Sequence, residues 1–213
     1  MNLAPALREQ FRAVAEGRHG DPFAILGIHS SVTGRVVRTL QPQASAVTLL
    51  CRNGDERIAM QRVHPGGLYA AELPPRVRRY QLQIDYPAGP GPVIDDPYSF
   101  PSTLGELDLH LLAEGAHQQI SQTLGAVPLT VNGISGTRFA VWAPNASRVS
   151  VVGSFNDWDG RRHPMRHHPG NGVWEIFLPA VGHGNLYKFE LLDKNGRLLP
   201  LKSDPLARFC EAP

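Results

Sequence analysis

The chain has 213 residues, enough for one large or two small domains, with ordinary apolar (42%) and charged (19%) fractions. A net charge of +2 gives no basis for a nucleic-acid surface, and no apolar run approaches membrane-spanning length. Two distant cysteines, Cys51 and Cys210, fit a reducing compartment better than a disulfide scaffold. With no signal-peptide pattern at the N-terminus, the composition points to a cytoplasmic protein with no nucleic-acid partner and no membrane partner; a monomer without a cofactor is the expectation. Glycine (21) and proline (19) punctuate the chain often enough to favour many short strands over long helices.

Asn2 can cap a first helix with Pro5 in its first turn. Leu3, Leu7, Phe11 and Val14 share one face, and Gly17 ends it. That face needs a partner surface, either another domain or its own. Asp21-Pro22 opens a short capped turn. Strand-like runs follow at 36–40, 46–51, 57–63, 68–73 and 80–86, separated by turn clusters that include Ala88-Gly89-Pro90-Gly91-Pro92. From Thr103 the leucines take helical spacing, and the segment closes at Gly125-Ala126-Val127-Pro128. Strand-like runs return at 138–143, 148–152, 172–178, 186–192 and 197–201, with Asn195-Gly196 as a two-residue hairpin signal.

The two halves align in order. Pro42-Gln43-Ala44-Ser45-Ala46-Val47 matches Pro144-Asn145-Ala146-Ser147-Arg148-Val149, and Gly67-Leu68-Tyr69 matches Gly172-Val173-Trp174. Leu73-Pro74 matches Leu178-Pro179, Tyr80 matches Tyr187, and Asp96-Pro97 matches Asp204-Pro205. The expected fold is therefore all-β: two tandem immunoglobulin-like β-sandwiches with a short N-terminal helix and a helical connector. The expected boundaries are 1–17 for the helix, 18–101 for the first sandwich, 102–127 for the connector, 128–209 for the second sandwich and 210–213 for a stub. Between strands, the second half carries Gly153 to Gly160 with Trp158. The first half has Arg52-Asn53-Gly54-Asp55-Glu56 there, without an aromatic.

The run Phe139-Ala140-Val141-Trp142-Ala143-Pro144-Asn145-Ala146, then Val151 to Met165, Gly172-Val173-Trp174-Glu175 and Tyr187-Lys188-Phe189-Glu190, resembles a known carbohydrate-binding module. This is the module that precedes the catalytic barrel of glycogen and starch branching enzymes; it also occurs in debranching enzymes and in the β subunit of the AMP-activated kinase. Asp21-Pro22-Phe23, Asp96-Pro97-Tyr98-Ser99-Phe100 and Gly105-Glu106-Leu107-Asp108 resemble the extra N-terminal domain of long-form bacterial branching enzymes. The resemblance implies a non-catalytic front part of an enzyme of glycogen biosynthesis, which joins α-1,4-glucan chains through α-1,6 links. A barrel needs about 250 residues, and the chain shows no βαβ alternation, so no catalytic residue is carried over and the chain alone is expected to be inactive.

The resemblance also implies a site. A flat aromatic takes the C–H face of a sugar, and amide or ammonium groups take its hydroxyls. The matching Trp and Lys of the kinase relatives touch glucan, which singles out Trp158 and Lys188 here, with Asn156 beside the indole. The second Trp of those relatives corresponds to Leu198. Trp158 packing against the barrel is the competing role, and Arg161, Arg162 and His163 are expected at that interface. The implied partners are α-glucan (glycogen or maltooligosaccharide) and the catalytic barrel. The alternative is a spacer that docks on the barrel and sets transferred chain length without binding glucan. Trp142 and Trp174 lie within strands and are expected to pack in the core or an interface. His163, His167 and His168 lack the carboxylate or thiolate partners of a metal site, and Pro164 and Pro169 break any helix that would align them.

Overall fold

A computed structural model describes residues 4–32, 34–51 and 56–210. The chain divides into two compact units, 1–100 and 101–213. Helix α1 (Pro5–Ala15) starts at a proline and buries Phe11, Val14 and Ala15. It lies on its own unit: a Cβ built at Gly66 would meet Ala15 at 2.8 Å, and the Arg38 guanidinium sits 5.4 Å from the Phe11 ring centre. The cap expected at Asn2, and Leu3, fall outside the described residues.

The first unit stacks two antiparallel sheets. One has β1 (Gly27–Ser31), β2 (Gly34–Leu40), β6 (Leu68–Leu73) and β5 (Gln61–His64) in that order; the other has β4 (Arg57–Ala59), β3 (Ala46–Cys51), β7 (Tyr80–Tyr86) and β8 (Gly89–Ile94). Val37, Val47, Leu49, Tyr69, Leu82 and Ile84 fill the space between them. The run 57–63, expected as one strand, is two. Met60 is buried and its amide donates to Val47 O, so the chain leaves the β3 sheet at Met60 and rejoins the β6 sheet. The cluster 88–92, expected as a turn, begins edge strand β8, where prolines are tolerated because one flank needs no ladder bond.

In the second unit, β12 (Arg166–His168), β13 (Val173–Pro179), β10 (Ile134–Trp142) and β9 (Gly125–Val131) form one sheet, and β11 (Ala146–Gly153) and β14 (Tyr187–Asp193) form the other. Gly125 opens a strand where the end of the connector was expected. Asn132 and Gly133, both at positive φ, make the two-residue hairpin that joins β9 to β10. The Asn195-Gly196 turn instead spans three residues: Asp193 N donates to Arg197 O, and Gly196 alone turns left-handed. Residues 197–201 form no regular strand and meet β14 through isolated bridges.

The duplication is built from the same bonds twice. Tyr80 Oη donates to Asp96 at 2.6 Å and Tyr187 Oη to Asp204 at 2.5 Å. Each Asp then accepts the amide two residues on, from Tyr98 and from Leu206. Met165 N donates to Val149 O as Met60 does to Val47. A Cβ at Gly67 would lie 2.5 Å from Pro42 and one at Gly172 2.6 Å from Pro144, with φ of +91° and +69°. Only glycine satisfies both the left-handed backbone and the close approach, which is why the Pro…Gly pair recurs in each half of the sequence.

The connector packs on the second unit. Helix α2 (Glu106–Ala113) and the short turn α3 (Ile120–Thr123) lie over the sheet face that carries Ala140 and Val173, with Leu104 and Leu124 buried at the two ends. Polar groups close the contact. Glu175 accepts from Thr103 N, Thr103 Oγ1 and His168 Nε2, and Arg138 donates to Gln122 O at 2.7 Å. Burial pushes Glu175 up, but the hydrogen bonds from His168 and the Ser102–Thr103 segment outweigh it and leave the carboxyl below its ordinary value. Among the described residues, no helix is long and apolar enough to cross a membrane.

Candidate functional site

Strand β11 is buried from Arg148 to Gly153 because both of its faces are covered there. One face meets the core. The other is roofed by the chain leaving the strand at Gly153 and returning at Met165. Beneath that roof Arg148 is buried, ion-paired with Glu190 and donating to Gly160 O at 3.1 Å. Gly160 rests so close to Glu190 that a Cβ there would overlap the carboxylate. Sequence reasoning passed over Arg148, Glu190 and Gly160. The signal was a lone charged residue, Arg148, in a strand of small and apolar residues.

The loop itself is tightly bonded. Asn156 is fully buried: Oδ1 accepts from Gly153 N at 2.9 Å, and Nδ2 donates to Val151 O and to His163 Nδ1, each at 2.9 Å. Every hydrogen-bonding position of the amide except one oxygen lone pair is then used. Asn156 therefore cannot flank a sugar as expected; it is a support inside the loop. His163 also turns inward, its ring 5.9 Å from that of Phe155. Burial, reinforced by the charge of Arg162, holds the imidazole pKa down to about 3, so it stays neutral and can accept the Asn156 proton.

Arg161 and Arg162 are also engaged locally. Arg161 forks onto Asp159 at 2.7 to 3.2 Å, and Arg162 reaches Asp157 at 2.7 Å. Asp159, opposed by burial, is nonetheless held below its ordinary value by those bonds. His167 stacks on Trp174 at 4.2 Å and His168 bonds Glu175, so the three histidines point to three different partners. Among the described residues, no group of three or more His, Cys, Asp or Glu could hold a metal.

Trp158 is presented outward at 42% exposure. Its amide donates to Gly153 O at 3.0 Å, and both Asp157 (φ +55°) and Trp158 (φ +58°) are left-handed. Two consecutive non-glycine residues in that region cost on the order of 1–3 kcal/mol each and persist only where surrounding bonds over-determine them. Lys188 is exposed on β14, opposite Val152, one residue before the Gly153 that anchors Trp158. The ladder thus delivers an indole and an ammonium to the same end of the β11–β14 pair. Of the other tryptophans, Trp174 is fully buried, while Trp142 is 60% exposed, with Nε1 donating to Asn171 O at 3.0 Å. Trp142 therefore lies outside the core.

Residues 123–207, which contain this loop, match the family model for carbohydrate-binding module 48 (isoamylase N-terminal domain). Residues 7–98 match the N-terminal domain of alpha-1,4-glucan branching enzyme GlgB. The chain carries the two domains found at the N-terminal end of 1,4-alpha-glucan branching enzymes. It is 53% identical over 94% of its length to the branching enzyme of Paramagnetospirillum magneticum, and 51% identical over 95% to that of Rubrobacter xylanophilus. A branching enzyme of Rhizobium johnstonii is 53% identical over 99% of the chain. The chain spans 27–28% of the length of these relatives and corresponds to their N-terminal region. A solved pullulanase from Klebsiella pneumoniae aligns over 79% of this chain and 18% of its own, at 17% identity and a TM-score of 0.29, too distant to carry an argument.

Proposed function

We propose that this branching-enzyme region is a non-catalytic glucan-positioning part, in which Trp158 stacks on an α-1,4-glucan and Lys188 donates to its hydroxyls. It acts in the cytoplasm as a monomer, beside the catalytic barrel of the full enzyme. The observation that carries this reading is the loop geometry: a half-exposed indole on a left-handed backbone bonded to Gly153 O, at the end of the strand pair where Lys188 is exposed. Covering about 100 Å² of indole yields at most roughly 2.5 kcal/mol at 25 cal/mol per Å². A millimolar site needs about 4 kcal/mol. One Trp with two or three hydrogen bonds reaches that level, and retention on a polymer then comes from effective concentration beside other sites.

Electrophoresis through glycogen-containing gels tests the proposal. The chain is expected to be retarded, Trp158→Ala to run as in a glycogen-free gel, and Lys188→Ala to fall between. Equal retardation of Trp158→Ala and the parent chain would refute it. The spacer reading keeps one specific support. Trp142 and Leu107 are exposed at 60% and 69% on the connector-bearing side of the module, as a docking surface requires. That reading predicts altered transferred chain length for Trp142→Ala in a full-length enzyme, with glycogen retardation of the present chain unchanged.

A further inference from the structure

We infer that Asn156 and His163 are positioning residues that act as an amide–imidazole clamp, the amide buried and the ring half-buried, holding the Trp158 indole in its sugar-binding orientation without touching sugar. The inference rests on the glucan reading of Trp158 and adds what sets the ring's pose.

Five bonds converge on the loop from this pair. Asn156 ties Gly153, where the chain leaves β11, to Val151 and to His163. His163 O in turn accepts from Val151 N at 3.2 Å, so the returning chain is stitched to the same strand residue. Asn156 O accepts from Asp159 N at 3.1 Å, closing the turn that contains both left-handed residues. The backbone bond of Trp158 to this frame runs to Gly153 O, the residue whose amide Asn156 holds. Without the clamp, Asp157 and Trp158 are free to relax to right-handed backbone, which swings the indole away. The imidazole must be neutral at Nδ1 to accept from the amide, and its burial keeps it so. A rigid ring meets a ligand with less ordering cost than a mobile one, so the clamp appears as affinity.

The test uses the whole chain labelled with 5-fluorotryptophan, which gives separate fluorine signals for Trp142, Trp158 and Trp174, and maltoheptaose as the probe. His163→Ala is expected to shift and broaden the Trp158 signal without sugar, leave Trp142 and Trp174 unmoved, and weaken maltoheptaose binding about 5- to 30-fold. His163→Gln, whose amide oxygen can accept from Asn156, is expected to recover most of both. An unchanged Trp158 signal in His163→Ala would overturn the inference. So would loss of the Trp174 signal, since the pair would then hold the whole module and not the ring. If Trp158→Ala binds maltoheptaose as the parent chain does, the glucan reading has failed, while the sugar-free Trp158 signal still decides whether the clamp exists.

Discussion

Asp96 hangs between the Tyr80 hydroxyl and the Tyr98 amide in a site closed to water. Burial, against the two hydrogen bonds, raises its pKa from 3.8 to about 6. Between those values the unfolded chain has released the proton that the folded chain keeps. Stability from this group is therefore full below about pH 4 and declines as pH rises to 6, by on the order of 3 kcal/mol. Asp96→Asn is expected to remove that component. Urea midpoints followed on β3 and β7 amides should converge or cross for the two proteins between pH 4 and pH 7; parallel curves would contradict the assignment. His163 has the opposite sign. With its pKa lowered from 6.5 to about 3, stability is full above 6.5 and is lost as pH falls toward 3, where the unfolded chain takes a proton the loop refuses. Amide protection across 153–163 should fall through that window in the parent chain and less steeply in His163→Gln. Neither burial was legible in the sequence. Asn156 and His163 stand in a polar loop, and composition reports that they can hydrogen-bond but not that they face inward. Trp158 was legible because an indole among short polar residues has few places to hide.

The strands were legible where alternation coincided with a single sheet. At Met60 the run 57–63 reads as one strand while the chain changes sheets, so the crossing carried no signal in side-chain period. Edge strands β8 and β9 were hidden by their own prolines, which only an edge tolerates. The connector hid differently. Its leucines gave helical spacing, but what fixes it is Glu175 and Arg138, charged residues standing on strands far away in sequence. We place the connector with the second module on that basis. Glu175→Ala would leave Thr103 and His168 unpaired and Arg138 without its nearby carboxylate. The expected cost is roughly 2–4 kcal/mol to the packing of residues 102–124. Limited proteolysis should then cut between Glu114 and Gln119 well before the sandwich opens; cleavage at the parent rate would show that apolar contact alone holds the connector.

At the scale of the whole molecule, one sandwich frame occurs twice, with the Tyr–Asp bond, the Pro–Gly contact and the Met crossing repeated. The repeat was visible in the sequence because the Tyr–Asp bond and the Pro–Gly contact each need a specific residue type; the Met crossing, a backbone bond, left no such mark. What distinguishes the copies is the roof over β11. In the second unit it is a bonded platform for an indole. The corresponding first-unit residues 52–55 lie outside the described structure, and their sequence holds no aromatic. The proposed glucan site thus falls on a loop grafted on one copy, while the duplicated core supplies rigidity.

Chemical-shift mapping of the nitrogen-labelled chain with maltoheptaose tests that assignment most directly. The Trp158 indole and the Lys188 amide should move together and saturate in the millimolar range, while first-unit amides and the Trp142 indole stay in place. Saturable shifts centred on Trp142 or on the first unit, with Trp158 unmoved, would contradict it.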